Sequence, residues 1–225
     1  CAAALEATPG TALSKSRAAG LYVAACRELF EEAGILLSHE TLEPDRLRAL
    51  RREMLVNHVP FAKLLRQASV TLNTGSLTYV SHWITPSFEK KRFDTRFFLA
   101  LAPSGQEASI DAHETTDLRW FSVSEALQAY RRDELVLAPP TLRHLEDFAD
   151  FATLREMQGF CQSRSIAAIL PKVVTRDARI TILLPWDQEY EAAEGEALGR
   201  DLGLTHPQAC GASRLVLENQ RWVSR

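Results

Sequence analysis

The feature that most constrains this chain is the run Arg27-Glu28-Leu29-Phe30-Glu31-Glu32-Ala33-Gly34-Ile35. Val23, Cys26, Phe30 and Ala33 recur at three- and four-residue steps, the apolar stripe of an amphipathic helix, with Val23 and Phe30 expected to face inward. Gly34 stands where such a helix would end, because glycine takes the left-handed conformation of a C-terminal cap at little cost. Ile35, Leu36 and Leu37 then form a short apolar run able to enter a core. On this helix Glu28 lies one turn from both Glu31 and Glu32, so three carboxylates share the polar face. Each exposed like-charge pair costs ~0.2–0.5 kcal/mol, a cost that a cation among them offsets. Oxygen-only clusters suit hard divalent ions such as Mg²⁺ or Mn²⁺, whose usual partners are phosphates. Arg27 can brace one carboxylate through a bidentate pair. The plainer alternative is an ordinary helix with a solvated acidic face.

Composition sets the outer bounds. With 225 residues, 46% of them apolar and 24% charged, the chain suits one large domain or a domain with an appendage, and disorder and fibrous repeats are excluded. Lys plus Arg total 26 against 29 Asp plus Glu, a net charge of −3, which argues against a nucleic-acid backbone as the main partner. No window approaches the roughly eighteen consecutive apolar residues of a membrane-spanning helix. Cys1, Cys26, Cys161 and Cys210 are scattered without a CxxC pair, as expected of isolated thiols in a reducing cytosol. No histidine pair has metal-ligand spacing with a third, and no Gly-x-Ser-x-Gly or Walker loop occurs.

Residues 1–20, rich in Ala, Ser and Gly, read as an entry loop. Two helices broken near Pro60 are expected within 43–68, then a turn at Asn73 to Ser76. Leu77 to Ile84 and Phe93 to Leu101 have strand composition. After a polar loop, Asp117 to Phe121 reads as a short strand, and Ser122 with Glu125 forms the capping box of a helix running to about Arg132. Pro139-Pro140 punctuates the chain and suggests a division into residues 1–139 and 140–225. Helical packing is expected onward through Cys161, then strands at Val173-Val174 and Ile180 to Leu184, and a terminal hairpin from Leu215-Val216-Leu217 to Trp222.

The run from Arg27 to Ile35 matches Arg-Glu-apolar-x-Glu-Glu-x-Gly-apolar, the core of the Nudix box, at every fixed position. The chain therefore resembles the Nudix hydrolase family. Trp83-Ile84-Thr85-Pro86, Arg92 to Phe98, Trp120-Phe121-Ser122 with Glu125-Ala126, Leu137 to Pro140, and Ile180 to Tyr190 with Leu184-Pro185 resemble the branch containing the peroxisomal coenzyme A diphosphatase and its bacterial relatives. The resemblance covers about Leu21 to Tyr190. It implies an α/β fold, the Nudix-type α/β/α sandwich with a mixed sheet, plus a C-terminal helical and hairpin extension. Two positions depart from the full box: its Gly and Glu, fourteen and eight residues before the Arg, are here Leu13 and Ala19. The upstream Phe-Pro-Gly-Gly segment has no match, and the chain begins at Cys1 without a Met. The expectation is that N-terminal strands are missing from the chain given; a degenerate relative is the alternative.

The resemblance implies metal-dependent hydrolysis of a diphosphate linkage in a nucleoside diphosphate derivative, coenzyme A or acyl-coenzyme A favoured. Glu28, Glu31 and Glu32 would be the ligands of Mg²⁺ or Mn²⁺, and Glu28, Glu32 and Arg27 the catalytic group. Glu114 is the candidate fourth ligand, with Asp111 and Asp117 close behind. Arg92 and Arg96 would form a basic rim for phosphate or, equally, an ion-pair cluster with Asp94 on the sheet. Trp83 would stack on a nucleobase or belong to the core. ADP-ribose, dinucleotides and capped RNA are alternative substrates, and a non-catalytic Nudix-like nucleotide-binding or regulatory domain is the alternative class. A homodimer is expected by family analogy alone. The default location is the cytoplasm, since Val223-Ser224-Arg225 is not the peroxisomal Ser-Lys-Leu signal.

Overall fold

A computed structural model of the chain describes residues 13–86, 89–110, 118–195, 206 and 208–225. These residues divide into two compact units. One draws on Leu13–Thr78 and Phe98–Trp120, the other on Tyr79–Phe97 and Phe121–Arg225.

The first unit is helical. Helix α1, Lys15–Ala33, starts at Ser14, whose side chain accepts from the Arg17 amide, and stops at Gly34, whose φ of 71° lets its N–H donate to Phe30 O. It therefore begins within the stretch expected to be loop. The reason is a stripe that starts earlier than the sequence pattern suggested: Ala18, Tyr22, Cys26 and Phe30 are buried at strict four-residue steps. Val23 lies off that stripe and is 40% exposed, so its expected inward orientation is corrected. Helices α2, Pro44–Leu55, and α3, Phe61–Ala68, are separated at Pro60 as expected. Pro44 opens α2, where its missing N–H is no loss. Phe30, Leu36, Leu42, Leu47, Phe61, Leu64 and Val70 form the core of this unit. Burying a side chain of this kind contributes roughly 1.5–3 kcal/mol. The run after Gly34 goes into that core, and the main chain of Leu36 is paired in both directions by the Gln106 side-chain amide, at 2.8 and 2.9 Å.

The second unit is mixed. Strands β1, Thr78–Ile84, and β2, Asp94–Leu99, join β3, Ala168–Ile169, in a sheet of order β2-β1-β3, in which β1 and β3 run parallel with His82 opposite Ala168. Helices α4, Val123–Arg131, α5, Pro139–Asp147, and α6, Leu154–Ser163, follow in the chain. The capping box of Ser122 and Glu125 is formed, and Thr153 with Glu156 makes a second one on α6. Strands β4, Lys172–Arg176, β5, Arg179–Leu183, β6, Arg214–Glu218, and β7, Arg221–Ser224, form an antiparallel sheet in chain order. Two of its turns hold two residues each, Asp177-Ala178 and Asn219-Gln220, all at positive φ, the geometry that matches the twist of a tight hairpin. Trp83, Leu127, Tyr130, Leu142, Ile169, Ile182, Leu184, Trp186 and Leu215 form its core. The strand expected at Asp117 to Phe121 is corrected: residues 118–121 form none, and Trp120 is 72% exposed, with no ladder partner among the described residues to hold the segment extended. Asp117 lies outside the described residues. Helices and sheets are both present, as a mixed α/β class requires. No helix among the described residues is long and apolar enough to cross a membrane.

Candidate active site

The stripe that buries α1 fixes where its acids go. With Ala18, Tyr22, Cys26 and Phe30 turned into the first unit, Glu28 and Glu32 are exposed and Glu31 is half-buried. The Arg27 guanidinium lies between two of them, one terminal nitrogen paired with Glu28 and the other with Glu31. It thus bridges two carboxylates instead of gripping one in the bidentate manner expected. Partly exposed pairs of this sort contribute no more than about 1 kcal/mol each, so a stronger competitor for the oxygens can displace them. Among the described residues, no three His, Cys, Asp or Glu side chains gather to hold a metal ion. The donor set nevertheless fits a hard divalent ion in kind: carboxylate oxygens only, on adjacent turns of one helix, at least two of them solvent-facing. Glu114, Asp111 and Asp117 lie outside the described residues, as does His113.

The end of this helix is held by a residue that the sequence pattern did not single out. Arg51, 8% exposed, reaches from α2 to the last turn of α1. Its Nε and one terminal nitrogen donate to Glu31 O, at 3.2 and 2.9 Å, and the same terminal nitrogen donates to Glu32 O at 2.9 Å. The other terminal nitrogen donates to Ser109 O at 3.0 Å and Ser109 Oγ at 2.8 Å. Carbonyls at a helix C-terminus lack intrahelical partners, and a cation there also meets the negative end of the helix dipole. The available signal was spacing: Arg51 stands four residues after buried Leu47, on the inner side of α2, where a charge must be paired. A cleft of about 760 Å³ runs beside this contact, lined by Arg48, Arg51, Arg52, Gln106 and Ser109 among others.

Trp83, Arg92 and Arg96 belong to the second unit. The Arg96 side chain is only 7% exposed and sits 2.8 Å from Asp94, which also pairs with buried His82. This is the ion-pair arrangement on the sheet. Burial alone would raise Asp94, but the hydrogen bonds from His82 and Arg96 outweigh it and hold the carboxyl below its ordinary range. Burial pushes His82 down, against the pull of Asp94. Arg92 is exposed and donates to Thr85 O at 2.9 Å. Trp83 is 6% exposed in the core of its unit. It also lines a cleft of about 450 Å³ with Phe93, Phe97, Pro139, Pro140 and Trp222.

Residues 6–148 match the family model of the NUDT19 Nudix domain. The chain belongs to the Nudix family. Arg27 to Ile35 accordingly matches its box core, with Gly34 at the core's own glycine position. The acyl-coenzyme A diphosphatase NUDT19 of Homo sapiens is 29% identical over 187 residues, covering 75% of this chain and 50% of the relative. That of Xenopus laevis is 28% identical over 190 residues, with the same coverage of 75% and 50%. A putative nudix hydrolase 7 of Caenorhabditis elegans is 25% identical over 123 residues, 55% of this chain and 42% of that one. The chain spans about half the length of the curated relatives it matches. No solved structure matches it.

Proposed function

We propose that this Nudix chain hydrolyses the diphosphate of a coenzyme A derivative, acyl-coenzyme A included, with a divalent ion, Mg²⁺ or Mn²⁺, held by Glu28, Glu31, Glu32 and Glu114. The observation that carries the proposal is the acid run of the box core on the solvent side of α1, two of its members braced by Arg27. The substrate class is supported by vertebrate relatives whose names are acyl-coenzyme A diphosphatase. When bound, the ion would neutralise the diphosphate and lower the pKa of the attacking water. The chain's part is to orient that water and receive its proton on a carboxylate, Glu28 or Glu32. The water oxygen bonds to one phosphorus, the bridging P–O bond breaks, and the bridging oxygen leaves with the other phosphate. Arg92, exposed, is proposed as a phosphate contact. The burial of Arg96 and Trp83 supports the sheet-face and core roles for those two. The α/β/α sandwich, the division into residues 1–139 and 140–225, homodimerisation and a cytoplasmic location belong to the same proposal.

The test is release of 3′,5′-ADP from coenzyme A and an acyl ester, against AMP from ADP-ribose, with and without Mg²⁺ or Mn²⁺. Metal-dependent 3′,5′-ADP release, abolished in Glu32→Gln, is the expected result. AMP release from ADP-ribose alone would reassign the substrate. The departures from the full box at Leu13 and Ala19 favour a second reading, a nucleotide-binding domain without catalysis, and turnover of no diphosphate at all would select it.

A further inference from the structure

We propose that Arg51 is a positioning residue for the carboxylates of α1: its buried guanidinium, with Ser109 and the bare Gly34, clasps the last helical turn and sets the direction of Glu31 and Glu32. The inference rests on the metal-binding reading above and extends it to a residue outside the box. The geometry is specific. One planar fork joins two elements: its one side takes the carbonyls of Glu31 and Glu32, its other the carbonyl and hydroxyl of Ser109. Ser109 is tied to the same helix end by its own amide, which donates to Ala33 O at 2.9 Å. Gly34 makes room for both. A Cβ there would lie 2.9 Å from Ser109 Oγ and 3.0 Å from an Arg51 terminal nitrogen. Fixing the main chain of Glu31 and Glu32 fixes their Cα–Cβ directions, and with them where the carboxylates can meet an ion. Supporting shells of this kind decide whether ligands are held or merely present. Lysine cannot do the same, because one ammonium group cannot span the carbonyls of α1 and both Ser109 acceptors at once.

The probe is Mn²⁺ alone, its free fraction followed by electron paramagnetic resonance. Measurements are made at a temperature where circular dichroism shows each variant fully folded. The parent chain is expected to bind Mn²⁺ saturably, and Arg51→Lys to bind it about tenfold more weakly, the usual scale for loss of an outer-shell partner. Ser109→Ala should weaken binding in the same direction by a smaller factor. Leu64→Ala, which loosens the core of the same unit without touching the clasp, should keep the parent affinity. Parent-like Mn²⁺ affinity in folded Arg51→Lys overturns the positioning role and leaves the metal reading intact, as does equal weakening in Leu64→Ala. No saturable Mn²⁺ binding by the parent removes the metal reading, and the role of Arg51 with it. Should Arg51→Lys fail to fold, Ser109→Ala decides, and an unchanged affinity there overturns the proposal.

Discussion

Gly34 carries two demands at once: a left-handed φ of 71° and the close approach of Arg51 and Ser109. Gly34→Ala should therefore cost at least about 1–2 kcal/mol for the backbone conformation alone, plus whatever shifts the clasp, measured by urea unfolding. A parent-like midpoint would contradict this. A second residue-scale prediction concerns His144, which lies 2.6 Å from Ser81 Oγ and edge-on to Phe97. Burial first, and then the charges of Arg164 and Arg143, push its pKa down to about 4. The unfolded chain thus takes up a proton between the ordinary histidine value and about 4 that the folded chain refuses. Stability should be full above the ordinary value and fall as pH drops through it, by on the order of 2 kcal/mol from pH 7 to pH 5. Subtracting the same pH series for His144→Gln isolates this contribution, and an identical slope in both proteins would refute it. The box acids were legible as residues because their chemistry is in their side chains. Arg51 was not, since most of its acceptors are main-chain carbonyls, which leave no mark on the sequence.

At the scale of elements, punctuation was legible and beginnings were less so. Pro60, Gly34 and the capping box at Ser122 marked real boundaries because each acts within a few residues of itself. Both C-terminal hairpins were readable from apolar runs flanking short polar turns. The start of α1 was missed because small residues such as Ala18 signal both loop and good helix, and only packing against Tyr22, Cys26 and Phe30 separates the two. The strand expected near Trp120 failed for the converse reason: local composition favoured it, but among the described residues no strand pairs with 118–121. Ser122→Ala removes the hydroxyl that accepts from the Glu125 amide and should destabilise α4 by about 1 kcal/mol in a thermal or urea melt. Ser122→Thr, which keeps both the acceptor for the Glu125 amide and the hydroxyl that donates to the Glu125 carboxylate, should lose much less. Equal losses would contradict the hydroxyl as the source of the cap's stability.

For the whole molecule, the family was legible from nine residues, Arg27 to Ile35, because the box packs a helix, its stop and its acid run into one segment. Tertiary pairings were not legible. The parallel match of β1 with β3 joins segments far apart in the chain, and nothing in either sequence names its partner. Substrate choice is written in loops and clefts, so it rests on relatives of which this chain covers half. The central claim is that the carboxylates of α1 direct water onto a phosphorus of the diphosphate. The most direct measurement is phosphorus NMR of coenzyme A incubated with the protein and Mg²⁺ in water labelled with heavy oxygen. The account predicts label in one phosphate product from the parent and no turnover in Glu32→Gln; unlabelled phosphate products, or labelling at an equal rate in Glu32→Gln, would contradict it.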